Sequence, residues 1–340
     1  MQKDLPNFYL GSPIKTAVKE PFKGFKPLEG FKKINEELMK AAVTVILPVY
    51  NGEAYLEAAI RSVIDQEYKD WKLLIVNDGS TDGSIEVCNR FEKEDERIRV
   101  IHQKNGGLAN ALNTGLKNSD TDYLTFVDAD DEISPDTLSE NLKYLLDHPE
   151  VELLQYPVYQ KYRSDNQHIT KNEPELITSD FYINWLDKKK ISWITNDKIF
   201  KAGLFKDLKF KEGLIFEDNL FILQLVEKLN NIYLSDKGIY YYYERQDSTT
   251  TLPISLKREK DSFYVTYQIF QKLKEKQLYH LAADFLVRLI DIRKSMKVNF
   301  DNHDKTLKKE DANFLKLSDV LNLKHPLKSK IKLILFKISG

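Results

Sequence analysis

Between residues 43 and 127 short apolar runs alternate with stretches in which apolar residues return at every third or fourth position. Val43 to Tyr50 is nearly continuous in apolar character, as a strand covered on both faces requires; Pro48 marks its end and Asn51-Gly52 supplies a turn. From Glu53 to Tyr68, Leu56, Ile60, Val63 and Ile64 share one helical face. A second run, Trp71 to Val76, closes in the turn-forming cluster Asn77-Asp78-Gly79-Ser80-Thr81-Asp82-Gly83, which leads into a helix holding Ile85, Cys88 and Phe91. Ile98 to Ile101 reads as a third strand, Leu108 to Leu116 as a third helix, and Tyr123 to Val127 as a fourth strand. This alternation predicts an α/β fold, a doubly wound, mostly parallel sheet flanked by helices, with its ligand crevice at the carboxyl ends of the strands.

Beyond Glu150 the pattern changes. Val151 to Tyr159 reads as one strand, Ser164 to Pro174 as a polar loop, and Ile232 to Leu234 and Gly238 to Tyr243 as short strands. The Tyr240 to Tyr243 run has rings on both faces of its strand, which favours packing over a sugar-binding platform. Ser255 to Ser295 is helical by periodicity, with Phe263, Tyr267, Phe270 and Leu273 on one stripe and Leu281, Phe285, Leu289 and Ile292 on the next, a C-terminal helical appendage. Pro326 to Ile338 alternates Lys328, Lys330, Lys332 and Lys337 with Ile331, Leu333, Leu335 and Phe336. Such a basic amphipathic helix suits an anionic bilayer, and suits equally well the packing of its apolar face on its own domain.

Composition narrows the classes. The 340 residues are enough for two domains, or for one large domain with an appendage. Lys and Arg number 51 against 52 Asp and Glu, so the whole-chain field favours neither nucleic acid nor a generic anionic partner. The single cysteine, Cys88, excludes an internal disulfide and a cysteine metal cage; its spacing to Ile85 and Phe91 places it in a core. No apolar run is long enough to span a bilayer and the first 30 residues lack the apolar segment of a signal peptide, which points to the cytoplasm.

The chemistry concentrates where strands end. The fourth strand closes in Asp128-Ala129-Asp130-Asp131, three carboxylates in four residues. Like charges at the edge of a core must stay hydrated, share protons or meet a cation, and an oxygen-rich site suits Mg²⁺ or Mn²⁺. The other reading is a solvated acidic turn ahead of Pro135. The preceding strands also end in polar residues, so four polar endings share one edge.

Taken in order, Val45-Ile46-Leu47-Pro48-Val49-Tyr50-Asn51, Val76-Asn77-Asp78-Gly79-Ser80-Thr81-Asp82, Asn105-x-Gly107-x-Ala109-x-Ala111-Leu112-Asn113-x-Gly115 and Asp128-Ala129-Asp130-Asp131 resemble the bacterial nucleotide-sugar glycosyltransferases of family 2, with the GT-A fold. The likeness is strong over about residues 43–163 and looser to about 250. It implies an N-terminal extension over 1–41, whose role is not readable, then a GT-A domain over 42–250 and a helical region with a basic tail over 251–340. Within the GT-A domain, 42–135 would be the nucleotide-binding half and 136–250 the acceptor half.

The resemblance also implies roles. Pro48, Val49 and Tyr50 would give the base a flat contact and Asp78 an acceptor for its edge, although Tyr50 also fits a core and Asp78 an Asx turn. Glu53 would join the donor site, yet a carboxylate is favoured at a helix start without any ligand. Asp128 would face the ribose and Asp130 hold the divalent ion on the diphosphate. Asp131 would either support them or only mark the approach to the next helix. The third motif often carries Arg where this chain has Leu112, so a phosphate contact would be absent or supplied by Lys104, beside Gly107. Trp193-x-x-Asn196-x-Lys198-Ile199-Phe200 followed by Gly213-Leu214-Ile215-Phe216-Glu217-Asp218-Asn219 continues the likeness. There Asp218, with Glu217, would be the general base, because a sugar hydroxyl needs a carboxylate to take its proton. The bland reading is that either residue caps a helix, where the dipole keeps a carboxylate ionised. Arg245, in Glu244 to Ser248, would contact the diphosphate from a closing loop, or the stretch is a solvated charged turn.

The activity the resemblance implies is an inverting, metal-dependent transfer from a UDP-sugar to a saccharide or lipid-linked acceptor in surface polysaccharide synthesis. A nucleotidyltransferase would use a Gly-rich phosphate loop where this chain has Pro48-Val49-Tyr50-Asn51, and a nicotinamide dehydrogenase would need G-x-G-x-x-G there. A non-catalytic sugar-nucleotide or membrane scaffold would not need both Asp130 and Asp218. The sugar, the linkage and the oligomeric state are not written in these patterns.

Overall fold

A computed structural model describes residues 43–244, 253–313, 320 and 326–339. The expected alternation is present: β1 (Val43–Val49), α1 (Glu53–Ile64), β2 (Trp71–Asn77), α2 (Ser84–Glu94), β3 (Ile98–His102), α3 (Leu108–Asn118) and β4 (Tyr123–Phe126). These four strands pair in parallel in the order β3-β2-β1-β4. β1 lies at the centre and all seven of its residues are buried. Its odd positions, Val43, Val45, Leu47 and Val49, join a core with Leu56, Ile60 and Val63 of α1; Ile46 faces the opposite core with Ala109 and Leu112 of α3. A two-residue period with both faces apolar is what removes the alternation from the sequence of a doubly covered strand. Gly115 lets α3 approach: a Cβ there would lie 2.4 Å from the side chain of Ile46. Cys88 is buried in this core, and burial pushes its thiol up to about 12, so it is inert at neutral pH.

Pro48 fits inside a central strand for a definable reason. The carbonyl of Ile46 accepts the N–H of Val127, and that of Val49 accepts the N–H of Asp78. Even positions of β1 therefore face β4, whose pairing with β1 stops at Ile46 and Phe126. The missing N–H of Pro48 falls just past that end and costs no ladder bond.

The second half widens the sheet and adds another. After β5 (Glu132–Ile133) and α4 (Thr137–Asp147) come β6 (Leu153–Gln155), β7 (Val158–Gln160), β8 (His168–Thr170), β9 (Glu175–Ile177) and β10 (Lys198–Lys201). They are followed by α5 (Glu217–Val226), β11 (Ile232–Leu234) and β12 (Tyr240–Tyr241). The main sheet is β3-β2-β1-β4-β10-β6-β11-β9 and the smaller one β5-β12-β7-β8. Two sequence expectations are corrected here. The run read as one strand over 151–159 is split between the two sheets. Its break lies at Pro157, which has no N–H to continue a ladder, while its carbonyl accepts the N–H of Tyr240. The stretch read as a polar loop over 164–174 contains β8, an outer strand antiparallel to β7. Its side chains are largely exposed, so no apolar alternation marks it in the sequence.

The C-terminal helices α6 (Leu256–Glu275), α7 (Tyr279–Phe300) and α8 (Leu327–Ser339) close the fold. Ser255 caps α6, its hydroxyl accepting the N–H of Arg258. Phe263, Ile269 and Phe270 of α6 and Leu281, Phe285 and Leu289 of α7 belong to the same core as Leu220, Phe221 and Leu225 of α5. The helices thus rest on the back of the element that carries Glu217 and Asp218.

Candidate active site

The carboxyl ends of β1, β2 and β4 form one edge, and the loops there are tied together by side chains. Asn51 accepts the N–H of Thr81 at 2.8 Å, and its own N–H donates to Ser80 at 3.0 Å. Glu53 accepts the N–H of Gly83 at 2.9 Å, while the N–H of Glu53 donates to Asp82 at 3.0 Å. The carboxylate of Glu53 is therefore engaged at the start of the neighbouring helix, a use the dipole favours. Asp78 is buried and receives three hydrogen bonds, from the N–H of Gly106 at 2.9 Å, the N–H of Gly107 at 2.8 Å and Gln103 at 2.7 Å. It anchors the third loop against the second rather than making an Asx turn of its own. Gly107 adopts φ +85°, a left-handed region open to glycine, and begins α3 with its N–H turned to that carboxylate. Tyr50 is 54% exposed, which rules out its core reading. Lys104 is exposed on the same loop cluster, whereas Leu112 points into the core, where an arginine would have to bury its charge.

Beyond β4, Asp128, Asp130 and Asp131 can each offer a carboxylate oxygen within 4.8 Å of the others. Asp131 is neither a solvated turn residue nor a mark at the start of α4. It is 1% exposed, and its carboxylate accepts the hydroxyl of Tyr240 at 2.7 Å and the N–H of Tyr243 at 3.0 Å. Burial, then the charges of Asp128 and Asp130, raise its pKa well above the carboxylate range. Three oxygen donors gathered against mutual repulsion fit a hard divalent cation such as Mg²⁺ or Mn²⁺, whose charge would relieve it.

Tyr240 is the residue sequence reasoning missed. Its buried hydroxyl donates to Asp131 and accepts the N–H of Asp128 at 3.2 Å and the amide of Asn196 at 2.9 Å. One phenol thus joins the acidic turn, the smaller sheet and the segment leading into β10. Removing it in Tyr240→Phe leaves a buried carboxylate and a buried amide each short of a partner. The expected loss is about 1–3 kcal/mol, read as a lowered melting temperature.

That segment into β10 leads to the second carboxylate. Thr195 donates to Asp218 at 3.0 Å. Lys198, 0% exposed, donates to Asp197 at 2.6 Å, to the carbonyl of Ile194 at 2.6 Å and to the hydroxyl of Ser192. The ammonium thus ties down the turn that carries Thr195. Neither Glu217 nor Asp218 caps α5; the capping position is Phe216, held at φ +70° with no side-chain cap. The expectation that a helix start keeps this carboxylate ionised is also corrected. Burial, then the charge of Glu217, pushes Asp218 up to about 7, against the pull of Thr195 and Lys198. Desolvation outweighs the dipole because the carboxyl, part-buried and held by the Thr195 hydroxyl, loses much of its hydration. Glu217 is raised as well, by burial and then by Asp128, which places the start of α5 within electrostatic reach of the acidic turn. Arg245 lies outside the described residues.

A parallel half-sheet with polar endings on one edge, closed by an Asp-x-Asp turn, defines the GT-A fold class. Residues 44–210 match the family described as Glycosyl transferase family 2, and this stretch is a domain of that family. Among curated proteins, the chain is 35% identical over 237 residues to "Glycosyltransferase GlyA" of Streptococcus pneumoniae, covering 62% of this chain and 32% of that protein. It is 32% identical over 225 residues to "Uncharacterized glycosyltransferase EpsJ" of Bacillus subtilis, covering 62% and 63%. It is 26% identical over 307 residues to "Minor teichoic acid biosynthesis protein GgaA" of Bacillus subtilis, covering 82% and 68%. The chain therefore spans a third of GlyA and less than two thirds of EpsJ. Among solved structures it superposes on S. aureus TarS 1-349 in complex with UDP-GlcNAc, with a TM-score of 0.63, 20% identity and 87% of each chain covered. The mannosyltransferase PcManGT from Pyrobaculum calidifontis in complex with GDP-Man and Mn²⁺ matches with a TM-score of 0.53 at 18% identity over 87% and 86%. These likenesses establish the fold.

Proposed function

We propose that this chain is an inverting, metal-dependent glycosyltransferase that moves a sugar from a UDP-sugar to a saccharide or lipid-linked acceptor in bacterial surface polysaccharide synthesis, on the cytoplasmic side of the membrane. The observation that carries this reading is the pair of unlike acidic sites, the turn at Asp128, Asp130 and Asp131 and the Glu217–Asp218 pair at the start of α5, where Glu217 lies within electrostatic reach of Asp128. Single displacement at an anomeric carbon calls for two things on opposite sides of that carbon, a stabilised leaving group and a base for the incoming hydroxyl.

In this reading Pro48 and Tyr50 contact the base and Asp78 accepts from its edge. Glu53, Lys104 and Gly107 border the donor, Asp128 faces the ribose, and Arg245 contacts the diphosphate. Asp130, with Asp128 and Asp131 close by, would hold the divalent ion. When bound, that ion supplies a Lewis acid that neutralises charge on the departing diphosphate. Asp218 takes the proton of the acceptor hydroxyl, with Thr195 and Lys198 fixing its orientation and Glu217 tuning its charge. A carboxylate with a pKa near 7 is a better proton acceptor than an ordinary aspartate and is still half ionised at neutral pH. The uridine choice is supported by TarS, solved with UDP-GlcNAc, and a polymer acceptor by GgaA, named for minor teichoic acid biosynthesis.

A thermal-shift panel of nucleotide sugars tests the donor. A UDP-sugar with Mn²⁺ should raise the melting temperature, and the rise should vanish with chelator, because a ligand bound only to the folded form stabilises it. A shift with no uridine nucleotide, alongside one with GDP-sugars, would replace the donor in this reading.

A further inference from the structure

The last helix, α8, carries two apolar faces. Leu333 and Phe336 are 1% and 5% exposed and pack into the core, where Arg293 lies over the Phe336 ring at 5.1 Å. On that side Lys332 pairs with Asp291, and Lys337 donates to the carbonyl of Ala312 at 3.0 Å. The opposite side holds Leu327, Ile331, Leu335 and Ile338, exposed by 71%, 45%, 57% and 68%. Spacings of four, four and three put these four side chains on one ridge. Isolated exposed apolar residues need no explanation, but a continuous ridge along a whole helix does. At about 100° per residue, Lys328 and Lys330 fall on its two flanks.

We infer that α8 is a membrane-docking element, which lies in the plane of an anionic bilayer surface with Leu327, Ile331, Leu335 and Ile338 immersed and the flanking lysines on lipid headgroups. The sequence left open whether this helix packs on its own domain or meets a bilayer; the structure uses one apolar face for packing and leaves the second outward. As described, its 13 residues reach about 20 Å against a hydrocarbon core of ~30 Å, a length that suits lying on the surface. Among the described residues no helix is long and apolar enough to cross a membrane. Charge decides between a bilayer and a second copy of the chain. Lys328 and Lys330 flank the ridge and residues 327–339 hold no acidic residue, so two such ridges brought together would juxtapose like charges. An anionic headgroup layer complements them. The inference goes beyond the proposed transfer reaction and does not depend on it.

The test is cosedimentation of the full chain with phosphatidylcholine vesicles, with and without phosphatidylglycerol. Binding should require the anionic lipid and weaken at high salt. Ile331→Glu combined with Leu335→Glu changes only exposed positions; it should leave the melting temperature in place and reduce vesicle binding by at least about tenfold. Lys328→Glu combined with Lys330→Glu should reduce binding to the anionic vesicles by about tenfold or more. No binding by the wild type, or undiminished binding by both variants, overturns the inference. So does a wild-type dimer that Ile331→Glu with Leu335→Glu converts to monomer without any vesicle binding. Vesicle binding needs no donor sugar or turnover, so loss of the transferase reading would leave this result standing.

Discussion

Asp130→Asn is expected to cut sugar transfer by about three orders of magnitude while the fold and melting temperature stay close to wild type. The substitution keeps the shape of the side chain and removes one negative charge from the cluster at the end of β4. Asp130 is half-buried and its replacement removes no apolar packing, so the fold should be kept. What depends on it, in the proposed reaction, is the cation that offsets charge on the leaving diphosphate. Electrostatic stabilisation of that kind supplies several kcal/mol, and each ~1.4 kcal/mol is a factor of ten in rate. Steady-state kinetics with Mn²⁺ varied, together with titration calorimetry of Mn²⁺ in the presence of UDP, separates lost metal affinity from a damaged fold. A fully active variant would remove Asp130 from the mechanism.

Asp218→Asn is expected to lower transfer by about 10²–10⁴-fold and to leave donor binding intact, because a missing general base affects the chemical step. In the wild type, activity should rise with pH through a midpoint near 7, as Asp218 gives up its proton. The same substitution carries a stability signature with a fixed sign. A carboxyl whose folded pKa lies above its unfolded value binds its proton more tightly in the folded state. Its contribution is therefore full below the unfolded value of 3.8 and is lost as pH rises to about 7. Asparagine cannot ionise, so with chelator present the variant should melt higher than wild type at pH 8, by about a few degrees, with the gap closing toward pH 4. An unchanged difference across that range would mean that Asp218 is not desolvated. Reduced activity joined to raised stability is the pattern of a residue strained for its task.

Much of this was legible in the sequence, for reasons that can be named. Val43–Val49 announces a central strand because both of its faces are apolar, and helices α1 to α3 follow from their own periodicity. The acidic turn stands out because three carboxylates directly after a buried strand have no packing use. What was not legible depends on contacts between distant residues. Tyr240 meets Ile133 across the smaller sheet, and only that register brings its hydroxyl to Asp131. Read locally, it is one ring among four tyrosines. Lys198, Asn196 and Thr195 offered a fainter signal, since a charged residue beside the apolar pair Ile199 and Phe200 at the start of a strand demands a buried partner. Asp218 shows where local reasoning gives the wrong sign: the dipole of α5 favours the ionised carboxylate, and only packing reveals the desolvation that overrides it.

The most direct measurement is a crystal structure grown with a UDP-sugar or UDP and Mn²⁺, read by anomalous scattering at the manganese absorption edge. One peak between the diphosphate and the Asp130 carboxylate, with an oxygen-to-metal distance of about 2.0–2.2 Å and Asp218 across the sugar-binding space, is the predicted result. A peak or a diphosphate bound elsewhere, away from the end of β4, would contradict the account.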